Sequence, residues 1–189
     1  DFNEWWIALD GHTQWQIGQY EPVLSDWGDI IMAPAGYAHD IRPKGDVQSI
    51  RFGVTHPNSN HNIKGVPPAR FIPVDEGQTN PNLIHTKLAS LVERNGTSSN
   101  WVEVTVSDNR NYATYTHELS GTASEPTSHA DESRWWVVLQ GQIEWSIDGE
   151  NSVSAGAGDV VFIEQGKTYS MTTVGDEPSI RITIAAPEV

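Results

Sequence analysis

The 189-residue sequence contains no cysteine. Disulfides, thiolate metal sites and cysteine nucleophiles are therefore excluded. Basic residues are scarce: 11 Lys and Arg stand against 25 Asp and Glu, a formal charge of −14. So acidic a surface repels a phosphate backbone and anionic headgroups alike, and neither a nucleic acid nor a membrane is an expected partner. No apolar run approaches the roughly 18–20 residues that span a bilayer, and nothing at the start resembles a signal peptide. The expectation is a cytoplasmic protein.

What is present is strand-like. Gly and Pro are frequent, at 16 and 11 residues, and they punctuate short runs of alternating apolar residues, which predicts an all-β chain. The chain also repeats itself. Displaced by 130 residues without a gap, Trp5-Trp6 falls on Trp135-Trp136, Gly11 on Gly141, Trp15 on Trp145, Gly28-Asp29 on Gly158-Asp159 and Ser49-Ile50-Arg51 on Ser179-Ile180-Arg181. In this register 17 of 59 positions are identical, enough to predict two copies of one structural unit.

Each copy opens on two alternating runs. In the first, Glu4–Leu9 and His12–Ile17 flank Asp10-Gly11, a dipeptide that predicts a two-residue hairpin pairing Leu9 with His12 and Trp6 with Trp15. The period of two puts Glu4, Trp6, Ala8, Thr13, Trp15 and Ile17 on one face, taken as the interior. His39 shares a face with Tyr37 and Ile41, and Arg51 turns away from Ile50 and Phe52. Arg51 and Arg181, present in both copies, suggest a shared salt bridge. Between the copies, residues 60–80 read as a linker, and Leu83–Arg94 as one short helix closed by Asn95-Gly96.

The stretch Gly28-x5-Pro34-x-Gly36-x2-His39 resembles the second signature motif of the cupins, and Glu4-x6-Gly11 resembles the second half of the first. The resemblance implies a bicupin: two antiparallel jelly-roll barrels from an internal repeat, one short helix between them, and a first barrel incomplete at its N-terminus. The implied division is 1–60 for the first barrel, 61–100 for the linker with its helix, and 101–189 for the second.

Cupins commonly hold a divalent metal with three His and one Glu. The resemblance assigns His39 and Glu4 as metal ligands, with Fe(II) first and Mn, Ni or Zn as alternatives. The His-x-His of the motif would fall before Glu4. In the second copy the frame places Thr127 and His129 at the two His, Arg134 at the Glu and Tyr169 at the motif-two His, a degenerate site without a normal metal. Trp6, Trp15 and Tyr37 are candidate walls of a substrate pocket. His12 lies on the face opposite Glu4 and is rejected as a ligand. His56 and His61 fall in loop sequence.

The implied activity is a metal-dependent oxygenase acting on a small, phenolic-type substrate. Two alternatives stand beside it: a non-catalytic cupin subunit supporting a catalytic dioxygenase chain, and other cupin chemistry such as a lyase, an isomerase or a ligand-binding module. Homo- or hetero-oligomers with cupin chains are the expected assembly.

Overall fold

The computed structural model describes residues 3–55 and 79–187, and His56, His61 and most of the Pro-rich linker lie outside them. Among the described residues the elements run β1 (Glu4–Asp10), β2 (His12–Ile17), β3 (Val23–Ser25), β4 (Ile30–Ala33), β5 (His39–Lys44), β6 (Ile50–Val54), β7 (His85–Thr86) and α1 (Leu88–Asn95). There follow β8 (Trp101–Ser107), β9 (Tyr112–Glu118), β10 (Thr127–Ser128), β11 (Arg134–Gln140), β12 (Gln142–Ile147), β13 (Val153–Gly156), β14 (Val160–Ile163), β15 (Thr168–Val174) and β16 (Ser179–Ala185). The chain divides into two compact units, Asp1–Leu91 and Val92–Val189.

Each unit is a pair of antiparallel sheets around an aromatic core. In the first, the sheet β6-β1-β4-β7 stands with β3-β2-β5; in the second, β14-β11-β16-β9-β8 stands with β10-β15-β12-β13. The 130-residue displacement holds in the ladders themselves. Trp6 pairs with Ile31 as Trp136 pairs with Val161, and Ile17 with His39 as Ile147 with Tyr169. The register shift between Ala8 and Asp10 recurs between Val138 and Gln140. The predicted inward face is the core-forming one: Trp6, Trp15 and Ile17 cluster in one unit, Trp136, Ile143 and Trp145 in the other. The opposite face of β1 is buried too, with Trp5 and Ile7 fully inaccessible.

The predicted hairpin does not form. β1 and β2 belong to different sheets, so no ladder joins Leu9 to His12. Gly11, at φ +64°, instead turns a corner between sheets, and a Cβ there would stand 2.3 Å from the Gln48 carbonyl oxygen. Gly141 turns the same corner, with the Pro178 oxygen 2.6 Å from its virtual Cβ. Only glycine satisfies both the left-handed backbone and the close approach. Trp6 and Trp15 do meet, at 5.1 Å between ring centroids, but across the barrel interior.

Two further expectations are corrected. The helix begins at Leu88 rather than Leu83, because His85–Thr86 is drawn into the sheet beside β4. Asp29 fixes this junction. Its Oδ1 accepts the Leu88 N–H at 3.0 Å and its Oδ2 lies 2.8 Å from His85 Nε2. The helix ends as predicted at Gly96, whose φ of +76° lets its N–H return to the Val92 carbonyl.

The arginines do not share a salt bridge. Arg181 is buried and makes a bidentate pair with Glu118, at 2.7 and 2.8 Å. Arg51 is exposed, and its guanidinium lies 5.9 Å over the Trp15 ring instead of turning away from the barrel. No helix among the described residues is long and apolar enough to cross a membrane.

Candidate functional site: equivalent constellations in the two barrels

A tight turn presents His39. The Tyr37 N–H donates to the Pro34 carbonyl at 3.0 Å, and Gly36 takes φ +85° at the third turn position, as a type II turn requires. The Asn3 side chain accepts the Ala35 N–H at 3.2 Å and ties this turn to the residues before β1. His39 then opens β5 while Glu4 opens β1 in the other sheet. They are 35 positions apart, yet His39 Nε2 and Glu4 Oε2 are separated by 3.5 Å, with their side chains 21% and 16% exposed.

Aromatic rings surround the pair. Trp6 lies 4.9 Å from the His39 ring at a tilt of 58°. Tyr37 is buried and stacks with Tyr20 at 6.0 Å. Burial, and then the neighbouring Tyr37, push the Tyr20 phenol above its ordinary value. Gly18 holds Tyr37 in place: a Cβ there would stand 2.5 Å from the tyrosine ring. Trp15, the third predicted pocket residue, is fully buried and donates to Ser25 Oγ at 2.8 Å, so it backs Trp6 from within the core.

The second barrel brings its predicted residues together as well. Arg134 pairs with Ile163 where Glu4 pairs with Ala33, and Tyr169 occupies the register position of His39. The Tyr169 hydroxyl is 3.1 Å from His129 Nε2 and is also hydrogen-bonded by Arg134. Glu132, which the sequence reading did not single out, completes the network. It accepts from Arg134 Nε at 2.7 Å and from the Ala186 N–H at 2.8 Å, and it lies 3.6 Å from His129 Nδ1. Its position two residues before Arg134 was the available signal, since residues i and i+2 project to the same side in extended chain. Burial raises the Tyr169 phenol, partly offset by Arg134. Burial and Arg134 lower the His129 imidazole, against the opposing pull of Glu132. The network thus joins one carboxylate, one guanidinium, a neutral imidazole and a neutral phenol.

Donor chemistry separates the two sites. Glu4 and His39 are a carboxylate and an imidazole, both ordinary ligands of a first-row ion. They are two of the three or four protein donors such sites use, and no three His, Asp or Glu side chains group for a metal among the described residues. In the second barrel a guanidinium stands at the carboxylate position, where its fixed positive charge opposes a cation. His12, rejected as a ligand, pairs with Asp26 at the surface. A separate groove of about 560 Å³ in the second unit, reached by Val153, Phe162 and Lys167, includes none of His129, Arg134 or Tyr169.

This architecture defines a class: paired antiparallel barrels, each with a polar constellation at the same point of its interior. Residues 116–184 match the family model described as the cupin domain. The match covers part of the second unit, and the chain as a whole has the two-barrel, bicupin-like jelly-roll fold. A search of curated proteins finds no match. Among solved structures, it is similar to a cupin 2 conserved barrel domain protein from Leptotrichia buccalis, with 13% identity over 99% of this chain and 74% of that one, at a TM-score of 0.67. It is similar to a mutant of Bacillus subtilis oxalate decarboxylase OxdC, with 12% identity, 99% and 64% coverage and a TM-score of 0.62. The oxalate decarboxylase formate complex of Lactobacillus farciminis gives 14% identity, 99% and 71% coverage and a TM-score of 0.61. At these identities the likeness concerns the fold.

Proposed function

We propose that this chain is a metal-dependent cupin enzyme whose working centre lies in the first barrel, at Glu4 and His39. The ion is Fe(II), with Mn, Ni or Zn as alternatives, and the reaction is oxygenation of a small, phenolic-type substrate. One observation carries the reading: Glu4 and His39 converge to 3.5 Å, while the equivalent positions of the second barrel have changed together, to Arg134 and Tyr169. A carboxylate–imidazole pair suits a divalent transition ion, and its remaining coordination positions are left to solvent, substrate or further donors. When bound, such an ion supplies Lewis acidity and a template for substrate and oxygen.

The chain's own residues position and exclude. Trp6 packs against the His39 ring and fixes its orientation, offering a flat apolar wall beside it. Tyr37, pinned by Gly18, adds a second aromatic surface. Both favour a planar ligand over water at the pair.

Oxygen uptake by the Fe(II)-reconstituted protein with a panel of small phenols, hydroquinone among them, tests this. Substrate-dependent uptake is expected, with a loss of at least about a hundredfold in His39→Ala, the scale of removing a group essential to the reaction. No uptake with any of the four metals counts against the enzyme.

A second reading, a non-catalytic cupin subunit, is favoured by the self-paired charges of the second barrel and by the two-donor set of the first. It predicts no uptake by this chain alone, and a gain in stability or activity of a catalytic cupin chain when the two are mixed.

A further inference from the structure

The turns after β12 and β14 repeat backbone bonds of the turns after β2 and β4. The Glu150 N–H donates to the Ile147 carbonyl as the Tyr20 N–H donates to that of Ile17, each at 3.0 Å. The Lys167 N–H donates to the Glu164 carbonyl as the Tyr37 N–H donates to that of Pro34. Glu150 and Lys167 therefore stand where Tyr20 and Tyr37 stand in the first copy, 130 residues earlier. The two places are filled differently. In the first unit Tyr20 and Val23 pack onto a cluster that includes Ile17, Ala33 and Tyr37, and the Tyr20 hydroxyl is hydrogen-bonded to Tyr37. In the second unit an ion pair replaces the two tyrosines, with Lys167 Nζ 3.3 Å from Glu150 Oε1. A groove of about 560 Å³ opens there, and its walls include Ile147, Val153 and Ile163, the counterparts of Ile17, Val23 and Ala33. Val153 and Phe162 line it at 39% and 43% exposure, whereas Met32, the counterpart of Phe162, is 1% exposed.

We propose that this groove is a binding site for a small phenol, held where the first unit holds the ring of its own Tyr20. The apolar walls take the ring. The ion pair takes the hydroxyl: a phenol donates and accepts at one oxygen, so it serves Glu150 and Lys167 together. The two side chains are 57% and 39% exposed, free to part around a hydroxyl without stranding a buried charge. An aryl carboxylate only accepts, and Glu150 and Glu164 both line the groove and repel it. An aromatic hydrocarbon fills the walls and leaves the charged groups without a new partner. The groove shares no residue with His129, Arg134 and Tyr169, and the site does not depend on the ion proposed for the first barrel.

The probe is para-cresol, which is the tyrosine side chain as a free molecule. It is titrated into the metal-free 189-residue protein with isotope-labelled Val and Ile methyl groups, followed by NMR. Saturable shifts are expected at Val153, Ile147 and Ile163. Toluene and benzoate should each bind at least about tenfold more weakly, the scale of a lost hydrogen bond to a charged group. Lys167→Met should weaken para-cresol by a similar factor and leave toluene unchanged. Glu150→Tyr, which ties a phenol ring to the turn as in the first copy, should bind neither. Absence of saturable shifts, shifts confined to the first unit, or toluene or benzoate binding as tightly as para-cresol would overturn the proposal. So would unaltered para-cresol binding in Lys167→Met, a conclusion that holds even where Glu150→Tyr does not fold.

Discussion

Trp15 and Trp145 are the same residue in two barrels, and they differ by one hydrogen bond. Trp15 Nε1 donates to Ser25 Oγ; the equivalent of Ser25 is Ala155, and Trp145 Nε1 is buried with no partner among the described residues. Ala155→Ser should restore the bond and stabilise the protein by about 1 kcal/mol, read as a shift of the denaturant midpoint at constant slope. His129 gives a second prediction at this scale. Burial and Arg134 hold its imidazole below the ordinary 6.5, so just below pH 6.5 the unfolded chain binds more protons than the folded one. Its contribution therefore favours folding more as pH rises to about 6.5, and less as pH falls below it. NMR titration of the His129 ring should give a midpoint under 6.5 that moves up in Arg134→Gln; a midpoint that stays or falls would contradict the assigned cause.

Among the elements, the Gly-Asp turns before β4 and β14 do related work to different extents. Among the described residues Asp159 accepts only the Gly156 N–H, at 2.9 Å, in an exposed turn. Asp29 accepts the equivalent Asp26 N–H and also binds Leu88 and His85, anchoring β7 and the start of α1. Asp29→Ala should cost about 2 kcal/mol, combining a lost cap with unsatisfied buried groups, while Asp159→Ala should cost under about 1 kcal/mol. Equal losses in the unfolding free energy would remove the anchoring role. The sequence announced the repeat because one ungapped register carries the glycines and tryptophans together. It announced the inward faces because strand periodicity is local. It did not announce the Asp29–His85 or Arg181–Glu118 pairs, whose members are 56 and 63 residues apart. Nor could Asp10-Gly11 reveal that it joins two sheets. A left-handed glycine serves a hairpin and a corner equally, and only the close Gln48 carbonyl decides between them.

At the scale of the whole molecule, duplication has left two barrels with matched registers and opposed chemistry at one point. The second is closed on itself: Glu132 satisfies Arg134, and Tyr169 binds both Arg134 and His129. The first keeps a carboxylate and an imidazole under an aromatic wall, with the ligand chemistry of a metal centre. That contrast was legible in the sequence through the motif around Gly28–His39. Glu132 was not singled out, because it belongs to no motif and lies just before β11 rather than within it, its spacing from Arg134 being the one local signal. The asymmetry makes a single claim about where an ion goes. Elemental analysis of the purified protein after Fe(II) or Mn(II) loading and desalting, beside Glu4→Gln, His39→Ala and Tyr169→Phe, tests it most directly. The account predicts about one ion per chain, lost in Glu4→Gln and His39→Ala and kept in Tyr169→Phe. No retained metal, or metal that survives both first-barrel substitutions, would contradict it.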